Sequence, residues 1–81
     1  MLRDEIKNLM NQILLRQGKP ALNREDALLR DLGFRSLDFS ELALRIEQKA
    51  GRELNFDAAS LRRIVTAGDV LDFMKRALGD A

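Results

Sequence analysis

Three features of the 81-residue sequence predict an all-α fold, a small four-helix bundle with three longer helices, one short helix and a long first loop. Apolar residues recur at three- and four-residue spacing in three separate stretches. No stretch alternates with the two-residue period of a strand. A leucine-bearing connection, residues 21–35, divides the first helical stretch from the second.

The first helix is expected over residues 2–17, where Leu2, Ile6, Leu9, Met10, Ile13 and Leu14 line one face. Gly18 and Pro20 stop it, one as a helix C-terminal residue and the other because it cannot continue the hydrogen-bond ladder. In the connection, Leu22, Leu28, Leu29, Leu32 and Phe34 imply a loop wrapped across the helices, with a short helical turn near the EDALLR stretch. A connection this long implies a crossover, because a simple antiparallel pair needs only a short one.

The second long helix is expected from Ser36 or Leu37 to Ala50, with Leu42, Ile46 and Ala50 on one stripe, Phe39 and Ala43 beside it, and Gly51 as terminator. A shorter turn follows Asp57, a good N-cap for AASLRRI, and offers Leu61 and Ile64 inward. The last helix begins after Thr66, because TAGD has the form of a capping box. Its apolar face is Val70, Leu71, Met74, Ala77 and Leu78, up to Gly79.

Composition narrows the function. With no cysteine and no histidine, neither the usual zinc sites nor a Cys/His or Ser/His dyad can be built, and no metal is expected. No window approaches the ~18 apolar residues of a membrane span, and the N-terminal MLRDEIKNLM carries charge through what would be the apolar region of a signal peptide. The expectation is a cytoplasmic, monomeric protein of one domain spanning residues 1–81. Fourteen basic and thirteen acidic side chains are interspersed and give a formal charge of +1, so the footprint of a nucleic-acid binder is missing.

Ser36 is the residue that invites a functional question. It lies just after Gly33 and just before a helical run, where a serine ordinarily serves as an N-cap. The partner expected three residues on in a capping box is absent, since that residue is Phe39, and a cap alone does not explain Gly33 or the leucine-rich loop.

The stretch Asp31, Leu32, Gly33, Phe34, Arg35, Ser36, Leu37, Asp38 resembles the D-L-G-x-D-S-L-D loop of the acyl carrier protein family. The resemblance continues through Glu41, Leu42, Ile46, Glu47 and Gly51, then Ile64, Thr66, Val70, Asp72 and Phe73, and so covers nearly the whole chain. It implies a non-catalytic carrier with an acyl-carrier-protein-like bundle. Ser36 would receive a covalent 4′-phosphopantetheine from coenzyme A through a phosphopantetheinyl transferase, and the thiol of that arm would hold acyl groups as thioesters. The implied partners are that transferase, an acyl-loading ligase or acyltransferase, and further enzymes of a lipid, envelope-lipid, fatty-acid or secondary-metabolite pathway. The implied docking surface is the helix after Ser36, with Leu37 and Leu44 as apolar contacts and Asp38, Glu41 and Glu47 as steering charges. The local physics suits the reading, because the first turn of a helix presents unpaired N–H groups and the positive end of its dipole to an anion.

The chain departs from the family pattern in three ways. Arg35 stands where the family usually has Asp and sets a cation beside the attachment serine, so it is expected to influence which transferase or partner docks. Ser40 stands where an apolar residue is common. The near-neutral charge contrasts with the acidic character usual in the family, and Arg45 and Lys49 interrupt the carboxylates. These departures imply a specialised carrier with dedicated partners. Phe34 replaces the second glycine usual before the serine in peptidyl carriers, which favours an acyl over an aminoacyl load. The other readings are an aminoacyl or peptidyl carrier, an unmodified interaction module using Leu37, Glu41 and Leu44, and a helix-turn-helix DNA binder using Arg62 and Arg63.

Overall fold

A computed structural model of the chain describes residues 1–54, 56 and 58–79. It contains helix α1 (Arg3–Arg16), the one-turn helix α2 (Leu29–Leu32), helix α3 (Ser36–Ala50), a 3₁₀ helix (Ala58–Arg63) and helix α4 (Ala67–Ala77). The three long helices lie where the apolar spacing predicts them, and the fold is the expected all-α arrangement.

Helix α1 buries Ile6, Leu9, Met10, Ile13 and Leu14 and packs against both α3 and α4. Leu2 is not on that face. It is the N-cap and is largely exposed, with its amide donating to Glu5 Oε1 at 2.8 Å. At the other end Gly18 turns at φ +76°, and the Lys19 amide closes the helix on the Leu14 carbonyl at 3.0 Å. A left-handed residue is what this exit requires, and glycine adopts it without a Cβ clash.

The centre of the molecule is formed by Ile6, Met10, Ile13 and Leu14 from α1, Leu42 and Ile46 from α3, and Val70, Leu71 and Met74 from α4, all fully buried. Each such side chain contributes about 1.5–3 kcal/mol of hydrophobic stabilisation relative to exposure. Ala50, expected on the same stripe as Leu42 and Ile46, is exposed, because α3 has run past the core by its last turn. Phe39, Phe56 and Phe73 form a second, smaller cluster at ring-centroid distances of 5.2 to 6.4 Å, all edge-on. Such pairs add about 0.5–1.5 kcal/mol beyond their area.

The long connection is a packed strap. Leu22 and Phe34 are buried, and Leu28, Leu29 and Leu32 are half-buried. The strap is tied to α1 where the Leu22 amide donates to Asn11 Oδ1 at 2.8 Å and where Arg3 Nη2 meets Glu25 Oε1 at 2.6 Å. The same guanidinium reaches Asp72 of α4 at 2.7 Å, so one arginine joins three segments. Further on, Leu28 bridges to Thr66, and the Leu29 amide donates to the Val65 carbonyl at 3.0 Å. The connection therefore crosses from the end of α1 to the start of α4 before returning to α3, which is why it is long. Its helical turn comes slightly later than the EDALLR stretch suggests, at Leu29–Leu32, and ends at Gly33 with φ +73°.

The turn before α4 is a 3₁₀ helix. The N-cap expected at Asp57 lies outside the described residues. Ile64 is half-buried, whereas Leu61 is exposed on the wall of a cavity and not in the core. Among the described residues no helix is long and apolar enough to cross a membrane.

Candidate functional site

Helix α3 begins one residue earlier than a Ser36 cap requires. Arg35 is the N-cap, in extended conformation at φ −103° and ψ 174°, and Ser36 is the first helical residue. A carboxylate three residues after the cap does reach back, since Asp38 Oδ2 accepts from the Arg35 amide at 2.8 Å. Ser36 is thus not a cap. The reciprocal half of a capping box is missing because an arginine side chain offers no acceptor. The Phe39 amide makes the first intrahelical bond, to the Arg35 carbonyl at 3.0 Å. Ser36 and Leu37, as the first two helical residues, have N–H groups beyond the reach of the ladder. Their side chains are exposed, Leu37 to 76%.

Asp38 turns inward. It is 3% exposed, and its other oxygen, Oδ1, accepts from Gln17 Nε2 at the end of α1. Burial opposes its ionisation. The Arg35 amide and the Gln17 side chain outweigh that opposition, helped by the charges of Lys19 and Arg35, and hold the carboxyl below its ordinary range. Lys19 Nζ donates both to Gln17 Oε1, at 2.7 Å, and to the Gly33 carbonyl. The end of α1 therefore clamps the chain on either side of Ser36, Lys19 at Gly33 before it and Gln17 at Asp38 after it. A Cβ on Gly33 would lie 3.0 Å from Lys19 Nζ, so the same lysine also packs across the glycine. Gln17 and Lys19 carried no signal in the sequence, where they are simply the polar end of a helix; only the return of the strap brings them to the site.

The structure separates the residues expected to dock a partner. Leu37 and Leu44 are both exposed on α3. Asp38 has no exposed carboxylate with which to steer, because it is consumed in the clamp and the cap. Glu41 Oε2 is bonded to Arg45 at 2.8 Å and also to Arg16. Glu47 Oε2 accepts from the Leu54 amide at 2.9 Å. Arg35 points outward, its guanidinium 3.8 Å from Asp38.

Beside Ser36 lies a cavity of about 530 Å³, lined by Leu29, Phe34, Phe39, Leu61 and Ile64, with Arg30, Arg35, Ser36 and Ser40 also on its wall. Ser40 is exposed on this wall and so takes nothing from the packing face of α3. The arrangement offers an unhindered hydroxyl at the positive end of a 15-residue helix, next to an apolar recess. Among the described residues there is no group of three or more carboxylates that could hold a metal ion.

No family model matches the chain. It is similar to the acyl carrier protein of Thermotoga maritima, with 31% identity over 80 residues that cover 95% of this chain and 96% of the relative. Its backbone is similar to the solution structure of MacpD, an acyl carrier protein from Pseudomonas fluorescens involved in mupirocin biosynthesis, at a TM-score of 0.66 and 29% identity. That likeness covers 88% of this chain, which spans 65% of the length of the solved one. Likeness in sequence along nearly the whole length, together with a shared backbone, shows that the chain belongs to the acyl carrier protein family, whose members are carriers and not catalysts.

Proposed function

We propose that Ser36 is the attachment point of 4′-phosphopantetheine and that the chain carries acyl groups for the enzymes of a specialised pathway. The observation that carries this reading is the exposed Ser36 hydroxyl on the first turn of α3, where nothing in the neighbouring strap covers it. When attached, the group supplies a thiol on which acyl chains are held as thioesters. The residues present fit it. The first-turn amides of α3 and the guanidinium of Arg35 favour a phosphodiester at Ser36, and the apolar wall of Leu29, Phe34, Phe39, Leu61 and Ile64 favours an acyl chain nearby.

Attachment makes Ser36 Oγ the nucleophile. A new bond forms from Oγ to the phosphorus that bears pantetheine in coenzyme A, the bond from that phosphorus to the adenosine bisphosphate half breaks, and the hydroxyl proton passes to a base of the transferase. This chain's own part is positioning: Asp38, itself held by Gln17, fixes the start of α3 by holding the Arg35 amide, and Lys19 holds the preceding loop at the Gly33 carbonyl. A dedicated pathway, not general fatty acid synthesis, is favoured by Arg35 beside the serine and by the mupirocin role of the structural relative.

The test is intact mass. Incubation with coenzyme A and a broad-specificity phosphopantetheinyl transferase is expected to add one cofactor mass to the wild type and none to Ser36→Ala. An unmodified wild type with several such transferases would end the carrier reading.

A further inference from the structure

The charges around Ser36 have the opposite sign from those that a row of carboxylates on α3 suggests. Of the three carboxylates expected to steer a partner, Asp38 is buried, Glu41 is bonded to two arginines and Glu47 holds the Leu54 amide. What projects at the Ser36 end is guanidinium. The side chains of Arg30 and Arg35 are 84% and 68% exposed, and both stand on the wall of the cavity beside Ser36, which among the described residues no carboxylate lines. Their nearest acids, Asp31 at 3.9 Å and Asp38 at 3.8 Å, are at the outer limit of ion pairing, and Asp38 already serves the clamp. Asp31 is exposed and lowers the local positive charge without cancelling it.

We propose, on the reading that Ser36 is modified, that the enzyme docking here meets α3 with carboxylates. They would seat on Arg30 and Arg35 around an apolar contact with Leu37. Complementary charge acts mainly on the rate of encounter, and like charges facing each other exclude the wrong partner. A transferase built with a basic docking surface would be repelled by the two arginines, and one with an acidic surface would be drawn to them.

The experiment is a charge-swap cycle. The carriers are the wild type and the double variant Arg30→Glu/Arg35→Glu, whose exposed side chains leave the core and the Arg35 amide intact; circular dichroism checks the fold. The probes are a phosphopantetheinyl transferase with a basic docking surface and a version of it with those lysines and arginines changed to glutamate. Each ratio of kcat/KM, wild type over double variant, cancels the chemistry of the enzyme used. The ratio is expected to be about one-tenth or lower with the basic enzyme and about ten or higher with the acidic one at low salt, and both should move toward one as salt rises, as steering does. A ratio that is the same for the two enzymes, or above one with the basic enzyme, overturns this proposal while leaving the carrier reading in place. Absence of cofactor on every carrier overturns both.

Discussion

Helices α3 and α4 begin with the same device and end up with different exposures. In each, an aspartate at the third helical position reaches back to the amide of the N-cap: Asp38 to Arg35 at 2.8 Å, and Asp69 to Thr66 at 3.0 Å. At α4 the rest of the end is closed. Thr66 Oγ1 accepts from the Asp69 amide at 3.1 Å, the Ala67 amide donates to the Ala27 carbonyl at 3.0 Å, and the Gly68 amide donates to the Glu25 carbonyl at 2.7 Å. Gly68 is needed for that approach, since a Cβ there would lie 3.1 Å from the Glu25 oxygen. At α3 the strap stops short. The cap residue offers no acceptor, and among the described residues no neighbouring segment takes the Ser36 or Leu37 amide. At the start of α4 the first-turn donors are thus satisfied within the protein. Of these two starts, the open one bears the serine; α1 is open in the same way, since the side chain of its N-cap Leu2 offers no acceptor to the Arg3 or Asp4 amide.

This comparison can be broken by mutation. The largest expected effect is at Asp38, whose removal leaves the part-buried cap amide of Arg35 and the Gln17 side chain without their acceptor. Asp38→Ala is expected to cost about 1–3 kcal/mol in a denaturant titration. A cost near zero would mean that the clamp is not holding the start of α3. Thr66→Ala comes next, at about 0.5–2 kcal/mol, the range for a lost side-chain cap. Measured the same way, a loss much smaller than this would remove the contrast between the closed and the open end.

Acid sharpens the likeness between the two aspartates. The Thr66 and Val65 amides hold Asp69 below its ordinary range, as the Arg35 amide and Gln17 do for Asp38 against its burial. A carboxyl whose folded pKa is depressed contributes stability that is present above the unfolded value of about 3.9 and is lost as pH falls through the folded one. Thermal unfolding temperatures are therefore expected to drop below about pH 4. Asp38→Asn should flatten part of that drop, and an unchanged acid profile in the variant would remove Asp38 from the linkage.

The smallest expected effect on stability is at Ser36 itself. Because Ser36 occupies the first helical position and makes no cap, Ser36→Ala should change unfolding free energy by no more than about 0.5 kcal/mol. A loss approaching that of Thr66→Ala would show that the serine is structural after all.

Most of this contrast lies beyond the reach of the sequence. Helix positions were legible because apolar residues at helical spacing and the glycines at 18, 33 and 51 mark the elements. The capping box at Thr66 was legible for the same reason, since all its partners are within three residues. Ser36 stood out in the sequence through the motif around it. The cap at Arg35 was not, because arginine is a poor cap by type and only the backbone shows where the helix begins. The inward turn of Asp38 was hidden as well: it depends on Gln17, which is adjacent only after the strap has crossed to α4 and come back. The pairing of Glu41 with Arg16 is non-local in the same way, so a helix that reads as acidic in sequence is neutralised in the fold.

The central claim, that the open start of α3 is the point of attachment, is tested most directly by locating the added mass. The chain has three serines, Ser36, Ser40 and Ser60, and trypsin cleavage after Arg35 and Arg45 isolates the first two on one peptide. Fragmentation of that peptide from protein treated with coenzyme A and a broad-specificity transferase is expected to place the phosphopantetheine on Ser36 and leave Ser40 bare. The group on Ser40 or Ser60 instead would contradict the account.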